Sequence, residues 1–354
     1  MSQPTAMQTS NFRLRFGLNV YAQIIGLSFL ISIFDHQIIV AQHQGMIMTV
    51  NGAVEPAELG RTLPHEHILV DFIGANSVSK SRYNRDSAAE AVTPFLQDLA
   101  EAGGNTLIEC TPNYLSRDPI LLKQLSESTG LHLLTNTGYY GDEAGKFLPE
   151  HVYELSAKEL SEIWIKEWTD GIEGTGIKPG FIKLRIDRFP ISETGKKLLH
   201  AASLTHKASG LTIGIHTANG KTALRQLEIL KSHGIDPSAY IWIHAQNESD
   251  TEIHKKIVRQ GAWVEFDGVG EASAETHSQF LVQMKKARLL SRVLISQDAG
   301  WYRVGEQGGA LDKFTPYDFL FEQFIPRLKK EGFTTDEIDM LIRQNPQKAF
   351  TISR

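Results

Sequence analysis

Phe181-Ile182-Lys183-Leu184-Arg185-Ile186 alternates like a β-strand, but with a lysine where a sheet interior should be apolar. Side chains two apart share a face of a strand. Ile182, Leu184 and Ile186 therefore turn toward a covering helical layer, and Lys183 and Arg185 turn the other way, into the interior. An amine there needs a partner, because a buried charge is costly unless it is compensated. Working outward, short apolar runs recur at 62–70, 105–110, 131–137, 181–186, 212–216, 240–244, 263–266 and 293–296. Amphipathic patterns at 88–102, 155–171, 193–209, 221–232, 250–260 and 274–289 lie between them, several closing on a glycine. This strand-helix rhythm means parallel strands, and eight alternations suit a closed barrel better than an open sheet. The expected fold is α/β, a (β/α)8 TIM barrel, with extra C-terminal helices at 317–330 and 335–343.

Parity along the other strands yields a set of polar residues on the same interior side. In Thr212-Ile213-Gly214-Ile215-His216 the isoleucines take one face and His216 the other. In Ile241-Trp242-Ile243-His244 the same split is expected, with the isoleucines opposite His244. Asp298 shares a face with Ser296 rather than with Ile295, and His65 and His67 share a face of the first strand by spacing alone. Glu66 then faces away from them. Four imidazoles, one carboxylate and one lysine at the ends of five strands have no packing rationale, whereas one such histidine alone would read as an ordinary core residue. The C-terminal strand ends are where barrel enzymes build their sites. Divalent cations would supply the missing compensation. Histidine and carboxylate ligands suit zinc, with manganese, iron or cobalt also compatible.

The bulk numbers agree with this picture. The chain has 354 residues, 41% hydrophobic and 22% charged, ordinary globular proportions that allow a large core. A net charge of -5 without a long basic run argues against a nucleic-acid partner and for a small-molecule substrate. The single cysteine, Cys110, excludes an intrachain disulfide framework and a CxxC zinc site. No linker interrupts the rhythm, so one barrel domain is expected over 46–354, and a homodimer is compatible with it. Residues 1–45 differ: Arg13 and Arg15 precede an apolar stretch to Phe34 and a cleavage-like Ala41, as in a signal for secretion or periplasmic export. A membrane anchor is the alternative, as is a cytoplasmic protein if translation starts near Met46.

Gly60-Arg61-Thr62-Leu63-Pro64-His65-Glu66-His67, Gly180-Phe181-Ile182-Lys183, Gly214-Ile215-His216-Thr217, Trp242-Ile243-His244 and Ile295-Ser296-Gln297-Asp298 occur in this order. Together with the closing Asn345-Pro346-Gln347-Lys348-Ala349-Phe350, the pattern resembles the phosphotriesterase family of the amidohydrolase superfamily from about Thr49 onward. The resemblance implies a binuclear metal-dependent hydrolase in which Lys183 is an N6-carboxylysine bridging two divalent ions. It implies that His65, His67 and Asp298 serve one ion and His216 and His244 the other. A water shared by two such cations becomes a hydroxide nucleophile near neutral pH, and Asp298 is then the group to accept its proton and pass it to the leaving group. Lys183 and Asp298 are thus expected to be catalytic as well as ligands.

Two departures bear on the substrate. Organophosphate-degrading members carry an Asp three residues after the strand 6 histidine and a His after the strand 7 aspartate, where this chain has Asn247 and Gly268. Thr137-Gly138-Tyr139-Tyr140 is similar instead to the lactonase and amidase-like branch, which aligns Tyr140 with a tyrosine near the metals. A carbonyl substrate (lactone, ester or amide) is therefore expected, with an aryl phosphotriester as the alternative. Tyr139, Tyr140, Asp267, Trp301 and Arg303 are the candidate substrate contacts, and Tyr140 is expected to be catalytic as well. Plain pocket lining is the competing reading for the tyrosines, a structural ion pair for Asp267 and for Arg185, and a solvated side chain for Arg303. The glycine-rich segment 299–313 is expected to be a mobile loop over the site. A secreted metal- or solute-binding protein would use the same ligands in a closed site. A mononuclear deaminase would not need Lys183.

Overall fold

The computed structural model describes Met1, residues 43–141 and residues 143–353, so the expected signal or anchor lies almost entirely outside the described residues. Apart from Met1, they form one compact unit, His43–Arg354. Eight parallel strands make up the barrel: β1 (Thr62–Val70), β2 (Thr106–Glu109), β3 (His132–Leu134, resumed at Asn136–Thr137), β4 (Phe181–Arg185), β5 (Ile213–His216), β6 (Tyr240–Ile243), β7 (Trp263–Phe266) and β8 (Val293–Ile295). Neighbours pair in sequence order, β1 with β2 and β2 with β3, then β4 through β8. Closure comes just beyond β8, where Asp298 N donates to His65 O at 3.1 Å and His67 N donates to Ala299 O at 2.9 Å.

The helices follow the expected rhythm: α1 (Arg85–Glu101), α2 (Pro119–Thr129), α3 (Ala157–Asp170), α4 (Glu193–Ser209), α5 (Gly220–Ser232), α6 (Thr251–Arg259) and α7 (Ala274–Lys286). Helix α2 was not expected from periodicity. Its end signals are nonetheless complete: Asp118 accepts from Ile120 N and Leu121 N, Pro119 opens the first turn, and Gly130 closes it at φ 75°. The C-terminal helices alternate with π turns, Leu320–Phe324 before Ile325–Lys330 and Met340–Gln344 before Asn345–Phe350. Among the described residues, no helix is long and apolar enough to cross a membrane.

The barrel floor is sealed by Ile47, Leu59, Ile108, Leu134, Phe181, Ile241, Ile243, Trp263, Leu294 and Phe350, which pack into one buried cluster. The strand that supplies Ile47 belongs to a hairpin, Ile47–Thr49 with Gly52–Val54, that the sequence rhythm did not reveal. The cluster also corrects the expected parity of β6. Ile241 and Ile243 face inward, and Gly214 has no side chain where the Ile243 methyl lies: a Cβ there would sit 2.9 Å from it. Trp242 faces the helices, its indole against His254 of α6. His244 therefore belongs, by alternation, to the outer face. It reaches the interior because its backbone is left-handed, φ 62° and ψ 37°.

The segment after Asp298 carries a strand and 3-10 residues between its glycines. Gly300–Arg303 forms a ninth strand, β9, parallel to the upper half of β1, and the 3-10 segment Gln307–Lys313 is interrupted by left-handed Gly308, Gly309 and Ala310. Gly300 is required there. Its φ is 98°, and a Cβ would collide with the His67 carbonyl oxygen and the Tyr317 hydroxyl.

Candidate active site

All six sequence-derived ligands converge at the C-terminal mouth of the barrel. The rings of His65 and His67 on β1 lie 5.4 Å apart, His65 and His244 5.0 Å, and His244 and His216 4.2 Å. Lys183, 1% exposed, places Nζ 3.4 Å from His65 Nε2. Asp298 Oδ1 comes within 3.1 Å of His67 Nε2 and 3.7 Å of His65 Nε2. That oxygen is buried and has no hydrogen-bond partner. The Asp298 oxygen faces two imidazole nitrogens without hydrogen-bond geometry, as a ligand of a cation shared with them does.

The far nitrogens of the imidazoles carry the same message. His65 Nδ1 meets Glu265 Oε1 at 2.8 Å, His67 Nδ1 meets Thr111 Oγ1 at 2.8 Å and His244 Nδ1 meets Asp267 Oδ1 at 2.6 Å. Each leaves Nε2 for the centre. His216 is reversed: Nε2 faces Asp187 Oδ2 at 3.4 Å, and Nδ1 faces the Tyr140 hydroxyl at 3.1 Å. In His65, His67 and His244 one nitrogen is anchored and the other faces inward, the arrangement that fixes metal-binding histidines, whereas both nitrogens of His216 have a partner. The protonation states fit as well. Burial holds His65 well below the ordinary imidazole range, with Lys183 adding to it. His67 is lowered, again by burial first, against the opposing pull of Asp298. His216 is pushed down to about 3 by burial and then by His244. These rings are neutral at pH 7, with lone pairs available to a cation. His244 is the exception: burial would lower it, but the Asp267 charge and hydrogen bond raise it.

Two residues that hold the site were not singled out as such from the sequence. Glu265, on the inner face of β7, anchors His65; burial and then Asp267 raise its carboxyl well above the usual range, while His244 and His65 hold Asp267 below it against the effect of burial. A glutamate alternating with Trp263 inside an apolar strand was the available signal. Glu66, correctly expected to face away from the ligands, accepts from Ser296 Oγ, Gln297 N and Ala299 N. It thereby clamps the backbone on both sides of Asp298, itself left-handed at φ 51°. Residues in such strained conformations persist where their surroundings over-determine them, and they gather at functional sites.

The expected substrate contacts separate. Tyr140 stands at the centre through His216. Tyr139, one residue away and so on the other face, is buried with its hydroxyl on His151 and its ring edge-on to Trp164 and Tyr114, outside the imidazole cluster. Asp267 is completely buried beneath His244, accepting from His244 N, His244 Nδ1 and Gln246 Nε2. It is a support for His244, not a surface for substrate. Arg303 extends to Glu306 at 3.6 Å. Trp301 lies over the site, its ring 4.0 Å from that of His67 and its indole N–H on Asp298 O. From Trp301 the ring contacts continue through Phe72, Phe147 and Tyr140 to His216, so that with His244, His65 and His67 they form a closed circle around the mouth.

Comparison with known proteins gives a consistent result. The family model described as "Phosphotriesterase family" matches residues 45–350. The "Phosphotriesterase homology protein" of Escherichia coli is 30% identical over 295 residues, covering 82% of this chain and 98% of its own length. The "N-acetyltaurine hydrolase" of Dictyostelium discoideum is 25% identical, with 87% and 98% covered. Among solved structures, the "Organophosphorus Hydrolase from Deinococcus radiodurans" superposes with a TM-score of 0.78 at 28% identity, over 87% of this chain and 97% of that one.

Proposed function

The chain belongs to the phosphotriesterase family of hydrolases, and on that footing we propose that it cleaves a carbonyl substrate (a lactone, ester or amide) at a centre of two divalent cations. His65, His67 and Asp298 would hold one ion, and His216 and His244 the other. Lys183 would bridge them as a carbamate, formed when Nζ takes up carbon dioxide and loses a proton. The observation that carries the reading is the buried, unpartnered Asp298 Oδ1 facing Nε2 of His67. Zinc suits this donor set; manganese, iron and cobalt are the alternatives. Such cations, when bound, polarise the scissile bond and lower the pKa of water at the site.

The protein supplies the rest. Asp298, 30% exposed on its side chain, is the acid group open to the mouth; it accepts the proton of the attacking water and returns it to the departing nitrogen or oxygen. The Tyr140 hydroxyl stands beside His216, where it is placed to hold the carbonyl oxygen of a substrate. Trp301, Phe72 and Phe147 form an apolar wall on the same rim and exclude water from an acyl group lying against them. An amide or ester is favoured over a phosphotriester by Tyr140, by the absence of an acid and a histidine at Asn247 and Gly268, and by the N-acetyltaurine hydrolases among the relatives. The test is a panel of one lactone, one aryl ester, one N-acyl amide and one aryl phosphotriester. Turnover of at least one carbonyl substrate well above the triester is expected; triester turnover far above all three would refute the reading.

A further inference from the structure

His67 and Asp298 are both tied to one later stretch of chain, residues 315–320, which leads into the π turn Leu320–Phe324. The stretch returns to the seam where the barrel closes. Gly300 N donates to Thr315 O at 2.9 Å, and Thr315 N donates back to Gly300 O at 3.1 Å. Tyr317, completely buried, then donates its hydroxyl to the His67 carbonyl at 2.7 Å.

Gln297, the residue before Asp298, carries the second tie. Its Nε2 donates to Pro316 O at 3.1 Å, and its Oε1 accepts from Leu320 N. The first N–H groups of a helical segment have no helical partner, and Gln297 takes one of them. An amide engaged at both ends has a single orientation, and Gln297 N is fixed as well, donating to Glu66 Oε1 at 2.9 Å. The stretch is braced from its outer side. The Phe314 ring stacks on Phe95 of α1 at 4.1 Å, and the Arg61 guanidinium lies over Phe321 at 4.4 Å. Backbone between these ties is unusual, with Asp298 at φ 51° and Gly300 at φ 98°, and such conformations persist where their surroundings over-determine them.

We propose that Tyr317 and Gln297 are positioning residues of the metal centre: through them residues 315–320 set the spacing of His67 and Asp298, and with it the hold on the ion these two share. This deepens the metal-dependent hydrolase reading and rests on it. Because both side chains act through ligands, their loss lowers cation affinity and kcat and leaves KM nearly unchanged.

The experiment uses the full chain with Tyr317→Phe, which removes one hydroxyl and keeps the ring, and Gln297→Met, which keeps the length and removes the amide. Zinc affinity is read by competition with a chelating dye, kcat and KM with the best carbonyl substrate of the panel, and stability by urea unfolding. A fourth measurement needs no metal. The Trp301 ring lies 4.0 Å from that of His67 and its indole N–H is on Asp298 O, so its indole N–H resonance in metal-free protein, assigned by Trp301→Phe, reports the spacing of both. Each variant is expected to lose about tenfold or more in affinity for one of two ions and in kcat, with KM within about threefold. The Trp301 resonance should move while those of Trp164, Trp168, Trp242 and Trp263 stay. A lower urea midpoint alone, with affinity, kcat and the Trp301 resonance of Tyr317→Phe at wild-type values, makes these bonds merely structural and overturns the proposal. If wild type holds no ion pair or cleaves no carbonyl substrate, the hydrolase reading is what fails, and Trp301 decides the positioning role: a resonance displaced in metal-free Tyr317→Phe supports it, and an undisturbed one overturns it.

Discussion

Replacing Asp267 by Asn should weaken both the fold and the affinity of the centre for cations, although Asp267 is expected to touch neither substrate nor metal. Its Oδ1 accepts from His244 Nδ1 and Gln246 Nε2, both at 2.6 Å, and its Oδ2 accepts from His244 N at 2.8 Å. Asparagine keeps one acceptor oxygen and presents an NH2 group where the second was, leaving at least one buried donor unpaired. A hydrogen bond to a charged group contributes about 1.5–3 kcal/mol, and an orphaned buried donor costs about 1–3 kcal/mol. His244 also sits in left-handed backbone, which costs about 1–3 kcal/mol and is held by the bond to its own N–H. These effects overlap, so the expected loss is about 2–4 kcal/mol in urea unfolding of metal-free protein, together with a 10–100-fold loss of cation affinity in competition with a chelating dye. The pH dependence has a defined sign. The Asp267 pKa is depressed, so its contribution is fully present above the unfolded value of about 3.9 and is lost only as pH falls through the far lower folded value. Because Asp267 also raises the His244 pKa, its pairing with the imidazolium adds stability below the ordinary histidine value of about 6.5 that fades as pH rises, so the deficit should be larger at pH 5 than at pH 8. A variant within 0.5 kcal/mol of wild type, with unchanged cation affinity, would refute the role assigned to Asp267.

Gly300→Ala should cost about 3 kcal/mol or more and shift His67, because a Cβ at φ 98° strikes the His67 carbonyl at the barrel seam; cooperative unfolding at the wild-type denaturant midpoint would show the seam to be compliant. Asp118→Asn keeps the cap on α2 but loses the charge that pairs with Arg85 at 2.9 Å, and about 1 kcal/mol is expected at pH 7. Since Arg85 and Tyr83 depress the Asp118 pKa against the opposing effect of burial, wild type forfeits this contribution as pH falls below about 4, and the gap between the two proteins should narrow there. A gap that widens in acid would contradict the pairing.

The barrel was legible because its strands are short, apolar and regularly spaced, and β4 and β5 show why parity worked: Lys183 and His216 stand where simple alternation puts them. For β6 alternation put the isoleucines on the wrong face, and His244 joins the cluster for another reason. His244 faces inward only through a left-handed backbone, and nothing in Ile241-Trp242-Ile243-His244 encodes that turn apart from the Asp267 that stabilises it 23 residues later. Tyr139 and Asp267 were placed among the substrate contacts because they neighbour the site in sequence, yet a one-residue step on a strand reverses the face, and depth along the barrel axis decides between a support and a surface. The glycines of 299–313 suggested mobility, whereas Gly300 is demanded by a close backbone approach and β9 is held against β1. The bond from Tyr317 to His67 joins residues 250 apart, which no local pattern reports.

The count of ions per chain tests the central claim most directly. Protein reconstituted with zinc in bicarbonate buffer and freed of loose metal should contain two ions per chain by elemental analysis, and Lys183→Ala, still folded, should hold one or fewer. Wild type that binds fewer than two, or a Lys183→Ala protein that retains both, would contradict the account.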